Sequence, residues 1–169
     1  MGFDGITDKV PTPTFDSIAE HGVKAESLQP AFPSLTFPNH FTMITGLYPD
    51  HHGLVHNMFY DSFMDKYYKI GDRSAVENSE FYEGNPVWNI AEDQGITTAS
   101  CFWVGSEAPV NGKQPTYWKK YEHRMPFGDR IDTVIAWLSL PEEVRPHLLF
   151  FYFHEPDSKG HKYGPDSKQ

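Results

Sequence analysis

The 169-residue sequence contains little cysteine and no long apolar segment. Cys101 is the single cysteine, so the chain can form neither an internal disulfide nor a thiolate zinc cluster. No apolar run approaches the roughly 20 residues that a membrane-spanning helix needs. We therefore expect no transmembrane segment, and no signal peptide is recognisable.

Basic residues are also scarce, with 14 Lys and Arg against 23 Asp and Glu, which gives a formal net charge of −9. An acidic chain repels polyphosphate backbones, so we expect no polymeric nucleic acid partner. The charge suits a site that holds divalent cations between carboxylates, although simple solubility explains it as well. Aromatic residues make up 15% of the chain, and such residues fill cores and line pockets for flat ligands.

Short helical and extended patterns alternate along the chain. Helices are predicted over residues 14–20, 38–45, 87–93 and 130–140, and strands over 23–28, 96–103 and 148–153. Residues 47–83 look irregular and are interpreted as a surface excursion. This alternation predicts an α/β layered fold with a largely parallel sheet flanked by helices.

The sequence also predicts how some of these elements are buried. The continuous apolar run 148–153 is typical of a strand buried on both faces. The last helix has one apolar face, and Cys101 is expected to be a small buried residue in its strand. The apolar positions of that helix are Ile131, Val134, Ile135 and Leu138.

Polar segments follow the predicted strands, where α/β folds place their chemistry. Asp157 and His161 can converge on one cation, and their oxygen and nitrogen atoms suit zinc, but a polar loop after a strand gives the same spacing. Thr36 precedes a helix that begins with proline, a position that favours a phosphate group. Its hydroxyl can attack phosphorus if a metal lowers its pKa, yet an ordinary helix cap explains it equally.

Together these segments resemble the nucleotide pyrophosphatase/phosphodiesterase family. The most specific elements are Thr36-Phe37-Pro38-Asn39 and Glu155-Pro156-Asp157-Ser158-x-Gly160-His161. Further similar stretches are residues 45–49, 52–53, 102–103, 137–141 and 163–165. The resemblance extends from Asp4 to Asp166.

This resemblance implies a fold and a reaction. The family belongs to the alkaline phosphatase superfamily, and its members hydrolyse phosphodiester or pyrophosphate bonds with two zinc ions through a threonyl-phosphate intermediate. Thr36 is then the nucleophile and, with Asp4, a ligand of one zinc, while Asp157 and His161 are ligands of the other. Family members carry an additional Asp-His pair and a later His downstream, so residues 1–169 are expected to be the N-terminal part of one catalytic domain.

The resemblance also implies how substrate is held. Asn57 is expected to bind a phosphate oxygen through its side-chain amide, and Phe37, Trp103 and Tyr121 are expected to form walls of the pocket for the leaving group. The substrate is then a small phosphodiester, with a nucleotide favoured because two rings can sandwich a base. An extracellular or periplasmic location follows from the same resemblance.

Two other functions remain open. A phosphomonoesterase of the same superfamily would use the same metals and nucleophile with a closed, charged pocket, and the aromatic positions argue against it. A non-catalytic binding domain would keep the fold with incomplete metal sites. The remaining histidines are expected to be structural or surface residues, including the adjacent pair His51 and His52, whose side chains should point apart.

Overall fold

The structure, a computed structural model, describes residues 11–164. The chain divides into two compact units, one formed by residues 30–154 and the other by the segments on either side of them. In chain order the elements are α1 (Pro13–His21), α2 (Thr36–Thr45), α3 (Pro49–His52), β1 (Met58–Asp61), β2 (Lys66–Lys69), α4 (Arg73–Val76), a 3-10 turn (Ser79–Phe81), α5 (Val87–Asp93), β3 (Thr98–Cys101), β4 (Tyr117–Lys119), α6 (Phe127–Leu138), β5 (Leu148–Phe151) and α7 (Asp157–Tyr163).

A parallel three-stranded sheet with the order β4-β3-β5 forms the centre of the larger unit. In the register, Cys101 of β3 pairs with Lys119 of β4 and with Phe151 of β5. All four residues of β3 are buried, because the strand has a neighbour on each edge and helices α5 and α6 both pack against it. Cys101 is a buried free thiol, as predicted.

Side chains of β5 alternate between two clusters, as the twofold periodicity of a strand requires. Phe150 packs on the cluster that contains Trp88 of α5, and the two ring centroids are 5.5 Å apart. Leu149 and Phe151 pack instead on the cluster that contains Val134 of α6. Layers therefore lie on both sides of the sheet, which confirms the predicted α/β layered fold.

The predicted helices are present, with boundaries shifted by up to three residues, but the predictions for residues 23–28 and 47–83 are wrong. Residues 23–28 form no strand; Val23 and Leu28 are largely exposed there. Residues 47–83, predicted to be irregular, contain the antiparallel hairpin β1–β2. Within these two four-residue strands only Tyr68 is buried. The sequence therefore shows no clear alternation of apolar and polar residues there.

The predicted apolar face of α6 is only partly buried within residues 11–164. Val134 is buried, but Ile131, Ile135 and Leu138 are each more than two-fifths exposed within the described part of the chain. The other buried residue of α6 is Arg130, one helical turn before Val134. Strand β5 packs on both faces, as predicted, but its residues are half-buried along its length and not fully buried.

The carboxylate of Glu92, at the end of α5, joins the amino ends of β3 and β4. Its Oε1 accepts hydrogen bonds from the backbone N–H and hydroxyl of Thr98, at 2.9 and 2.7 Å. It also accepts from the N–H and hydroxyl of Thr116, at 3.0 and 2.8 Å. Burial opposes ionisation, but these hydrogen bonds outweigh it and lower the pKa of Glu92.

We expect Glu92→Gln to lower the free energy of unfolding by about 1–3 kcal/mol, since an ionised acceptor of several hydrogen bonds is replaced by a neutral one. A carboxyl whose pKa is depressed on folding stabilises the protein above its unfolded-state pKa and loses that effect as pH falls. The deficit of the variant should therefore shrink in acid. Denaturant unfolding at pH 7 and at pH 4 measures it. Asp93→Asn, which breaks an exposed ion pair with Lys113, is the control and should cost less than about 1 kcal/mol.

No helix within residues 11–164 is long and apolar enough to cross a membrane.

Candidate active site

Thr36 is the first residue of α2, and it is exposed. Leu35 before it is extended, with φ −108° and ψ 158°, and Gly46 ends the helix in the left-handed conformation. The helix thus begins two residues earlier than the sequence predicted, and Thr36 lies inside its first turn. An exposed hydroxyl at the positive end of a ten-residue helix lies where an anion is stabilised.

The side chain of Asn39 holds the backbone that leads into Thr36. Its Oδ1 accepts a hydrogen bond from the N–H of Ala31 at 2.8 Å. Its Nδ2 donates to the carbonyls of Pro33 at 2.9 Å and Leu35 at 3.0 Å. Sequence reasoning gave Asn39 no role, although an asparagine in a first helical turn often bonds nearby backbone.

Asn57, which directly precedes β1, is joined to the start of α2. Its Oδ1 accepts a hydrogen bond from the N–H of Phe37 at 3.0 Å. Because that N–H must donate, the amide oxygen faces the helix and the NH₂ group is the donor that Asn57 can offer elsewhere. Pro38 has no N–H, so this helix start has fewer backbone donors than usual. The NH₂ group of Asn57 is a donor that can take the place of the N–H that Pro38 lacks.

The loop after β3 is held in an unusual conformation that sets the position of Trp103. Phe102 has a φ of +73°, a left-handed value that non-glycine residues seldom adopt. Ser100 Oγ donates to Ser106 Oγ at 2.8 Å, and Ser106 Oγ also lies 2.8 Å from the carbonyl of Trp103. The N–H of Trp103 donates to Ser100 Oγ at 3.2 Å, which closes the ring of bonds.

Four rings in contact form a row, and we refer to Trp103, His40, Tyr152 and Tyr121 as the aromatic row. His40, the second ring, lies one helical turn after Thr36. Successive ring centroids are 5.2, 5.5 and 6.2 Å apart. His40 Nδ1 lies 2.7 Å from the carbonyl of Thr36, and the indole N–H of Trp103 donates to the carbonyl of His40 at 3.2 Å. The structure therefore brings Trp103 and Tyr121 into one surface connected to the start of α2.

Tyr121 is the last ring of the aromatic row, and its hydroxyl has a polar neighbour. Its hydroxyl lies 3.0 Å from His123 Nδ1. Burial raises the pKa of Tyr121, and the nearby Arg130 guanidinium partly offsets that rise. Tyr121 is therefore a neutral phenol at physiological pH, which presents an uncharged face to a ligand.

Phe37, the third predicted pocket residue, lies on α2 between Thr36 and the aromatic row. It is three residues before His40, so the two side chains are neighbours along the helix. Its ring meets the edge of Tyr68 at a centroid distance of 6.3 Å and packs partly against the core.

Asp157 and His161 lie one turn apart on α7 in the smaller unit. Asp157 Oδ1 is 3.5 Å from His161 Nε2, and both side chains are more than two-thirds exposed. Glu155 Oε2 accepts from the N–H of Lys159 at 3.0 Å and so caps this helix. A carboxylate and an imidazole held at this distance fit two positions of a zinc site.

The other two predicted metal ligands are Asp4 and Thr36. Asp4 is outside the described residues, and Thr36 belongs to the larger unit. Among residues 11–164, no three His, Cys, Asp or Glu side chains are grouped to hold a metal. The described residues thus offer donors of the appropriate type for part of a coordination sphere.

His52 is fully buried and engaged by the protein through both ring nitrogens. Its Nδ1 accepts from the N–H of Leu54 at 3.2 Å, so its proton is on Nε2, which lies 3.0 Å from the hydroxyl of Thr42. Burial lowers the pKa of His52, consistent with a neutral imidazole. His51 is exposed beside Asp50. The two histidines therefore do not act as a metal pair.

Comparison with known proteins identifies relatives along the whole chain. The family model for type I phosphodiesterase/nucleotide pyrophosphatase matches residues 1–169. Human ectonucleotide pyrophosphatase/phosphodiesterase family member 1 is 39% identical over 157 residues, which cover 93% of this chain and 17% of the human protein. Venom phosphodiesterase 2 of Crotalus adamanteus is 39% identical over 155 residues, covering 92% of this chain and 19% of the venom protein.

Solved structures give the same result. Murine ectonucleotide pyrophosphatase/phosphodiesterase 5 superimposes with a TM-score of 0.88 at 32% identity, covering 99% of this chain and 44% of the murine one. An inactive threonine-to-alanine variant of that murine protein, solved in complex with AMP, superimposes with a TM-score of 0.87 at 32% identity, covering 96% of this chain and 43% of the murine one. The chain therefore spans less than a fifth of these curated relatives and less than half of the murine structures.

Proposed function

Because the chain belongs to the type I phosphodiesterase/nucleotide pyrophosphatase family, we propose that it contributes Thr36 as the nucleophile of a phosphodiesterase. The family's named members are hydrolases, and the fold is the alkaline-phosphatase-like α/β fold of the murine structures. The observation that carries the proposal is the exposed Thr36 hydroxyl in the first turn of α2, joined through Phe37 to the amide of Asn57. The inactive threonine-to-alanine variant of the murine relative supports it.

In the proposed reaction, Thr36 Oγ attacks phosphorus in line with the leaving oxygen. The Oγ–P bond forms, the hydroxyl proton is released, and the leaving group departs with the P–O bond electrons. Water then hydrolyses the threonyl-phosphate and restores Thr36. The Asn57 NH₂ donates to a phosphate oxygen, and such a donor lowers the barrier by about 3 kcal/mol where negative charge develops.

We also propose that the protein binds two zinc ions. Asp4 and Thr36 would hold one and Asp157 and His161 the other, in each case together with the further ligands that a zinc ion requires. Such ions act as Lewis acids that stabilise charge on the attacking and leaving oxygens. The side chains described here supply the hydroxyl, the amide and the Asp-His pair.

The aromatic row and Phe37 would receive the rest of the substrate. Flat rings next to the nucleophile suit a nucleoside, and base stacking contributes about 1–3 kcal/mol. The murine relative's complex with AMP favours a nucleotide. The charge of −9 disfavours polymeric nucleic acid, and the ectonucleotide enzymes among the relatives favour an extracellular or periplasmic location.

The test is substrate preference. The full-length protein should hydrolyse the p-nitrophenyl ester of thymidine 5′-monophosphate with a kcat/KM at least about tenfold above that for p-nitrophenyl phosphate. The diester carries a nucleoside that the aromatic surface can bind, whereas the monoester lacks it. Release of p-nitrophenol measures both reactions side by side. A preference for the monoester would favour the phosphomonoesterase alternative.

A further inference from the structure

Arg130 lies at the carboxyl ends of all three strands of the parallel sheet. It is in the first turns of α6 and is fully buried. Within residues 11–164 its guanidinium has no carboxylate partner, and it donates instead to backbone carbonyls and to one imidazole. A buried cation without a counter-ion is costly, and an apolar side chain would fill a purely structural position more cheaply.

The first set of hydrogen bonds holds the loop after β4. Arg130 Nη2 donates to the carbonyls of Glu122 at 3.3 Å and His123 at 3.1 Å, and Nε donates to the carbonyl of Met125 at 3.1 Å. Glu122 and His123 directly follow Tyr121. The guanidinium therefore fixes the backbone that carries this ring.

The same group reaches the loops after the other two strands. After β5, Nη1 donates to the carbonyl of Tyr152 and Nη2 to His154 Nδ1, each at 3.3 Å. After β3, the guanidinium carbon lies 4.9 Å from the ring centroid of Phe102, the residue before Trp103. The ring of Phe102 in turn meets the edge of Tyr121 at 5.3 Å. One side chain therefore contacts the three loops that carry Trp103, Tyr121 and Tyr152.

We propose that Arg130 is a positioning residue that sets the arrangement of Trp103, Tyr121 and Tyr152 for binding the nucleoside part of the substrate. This inference rests on the proposed nucleotide phosphodiesterase function. Only arginine offers five N–H donors in one plane, so a single guanidinium group can contact three loops at once. Lysine keeps the charge and fills part of the volume, but it cannot make this set of bonds.

The experiment measures ligand binding in the full-length protein carrying Thr36→Ala, so that turnover does not interfere. The probes are AMP, which has a nucleoside, and inorganic phosphate, which has none. Adding Arg130→Lys should raise the Kd of AMP at least about tenfold, because ring stacking is lost, and should change the Kd of phosphate less than about twofold. Isothermal titration calorimetry measures both constants.

Glu92→Gln is the matched control, since Glu92 joins the opposite, amino ends of β3 and β4 by a comparable set of hydrogen bonds. It should lower the melting temperature while leaving both Kd values within about twofold. An unchanged Kd for AMP in Arg130→Lys, or equal weakening of AMP and phosphate, would overturn the inference.

A second variant keeps the test decisive if Arg130→Lys fails to fold. Phe102→Leu removes the ring that contacts both Arg130 and Tyr121. We expect this variant to show the same selective loss of AMP affinity. An unchanged Kd for AMP in Phe102→Leu would contradict the inference. Failure of the proposed nucleotide phosphodiesterase function looks different, because the parent Thr36→Ala protein would then bind AMP no more tightly than phosphate.

Discussion

Thr36→Ala is expected to reduce the turnover of a nucleotide diester by at least about a thousandfold, because the variant lacks the attacking oxygen. Thr36 is exposed, and alanine is well tolerated in the first turn of a helix, so the melting temperature should change little. Thr36→Ser keeps a hydroxyl and should retain part of the activity. Initial rates and thermal unfolding of the three proteins test this.

Thr45→Ala is the matched control, because Thr45 is the last residue of the same helix. Its hydroxyl donates to the carbonyl of Phe41 at 2.8 Å and accepts from the N–H of Leu47, so the substitution should cost some stability. Its turnover should stay within about threefold of the wild-type value. If Thr36→Ala retained near-normal turnover with an unchanged melting temperature, the covalent mechanism would be wrong.

Removal of zinc is also expected to have a large effect on activity. The full-length protein should contain two zinc ions, and chelation should abolish diester hydrolysis until zinc is restored. His161→Ala removes one ligand of the pair on α7 and should weaken binding of one ion by at least about a hundredfold. Elemental analysis after dialysis, together with activity at defined free zinc, measures both effects.

His147→Ala controls for loss of an exposed histidine that is not a proposed ligand, since His147 lies beside Glu142. It should keep both zinc ions and full activity. Two tightly held zinc ions in His161→Ala would show that the ligands are wrongly assigned, and Glu155 would then become a candidate.

Much of the fold and the location of the candidate site could be predicted because the signals are local. Helix α5 has the predicted limits, and β3 lies inside the predicted strand with Cys101 buried in it. Thr36 was expected beside a helix start because Pro38 and Gly46 mark the two ends of that helix. The motifs around Thr36 and Asp157 indicated the family, and the matching family model confirmed it.

Other predictions failed where contacts with distant parts of the chain decide the structure of a short segment. Tyr68 is buried by residues from other segments, among them Phe37, Phe81 and Tyr82. The β1–β2 hairpin therefore had too weak a pattern to be recognised from its own sequence. The apolar periodicity of α6 correctly indicated a helix but did not indicate how far its apolar positions are buried. Ile131 and Ile135 have the expected spacing, yet they are exposed among the described residues.

The sequence by itself determined the α/β class, the family and the segment that contains Thr36, because spacing, caps and motifs are properties of neighbouring residues. Only the tertiary structure decided that Asn57 binds the N–H of Phe37 and that Arg130 is buried at the ends of three strands. The partners of Arg130 are mainly backbone carbonyls, which every sequence contains and no residue pattern marks. They form a binding site for a guanidinium only when the loops after β4 and β5 converge in the folded chain.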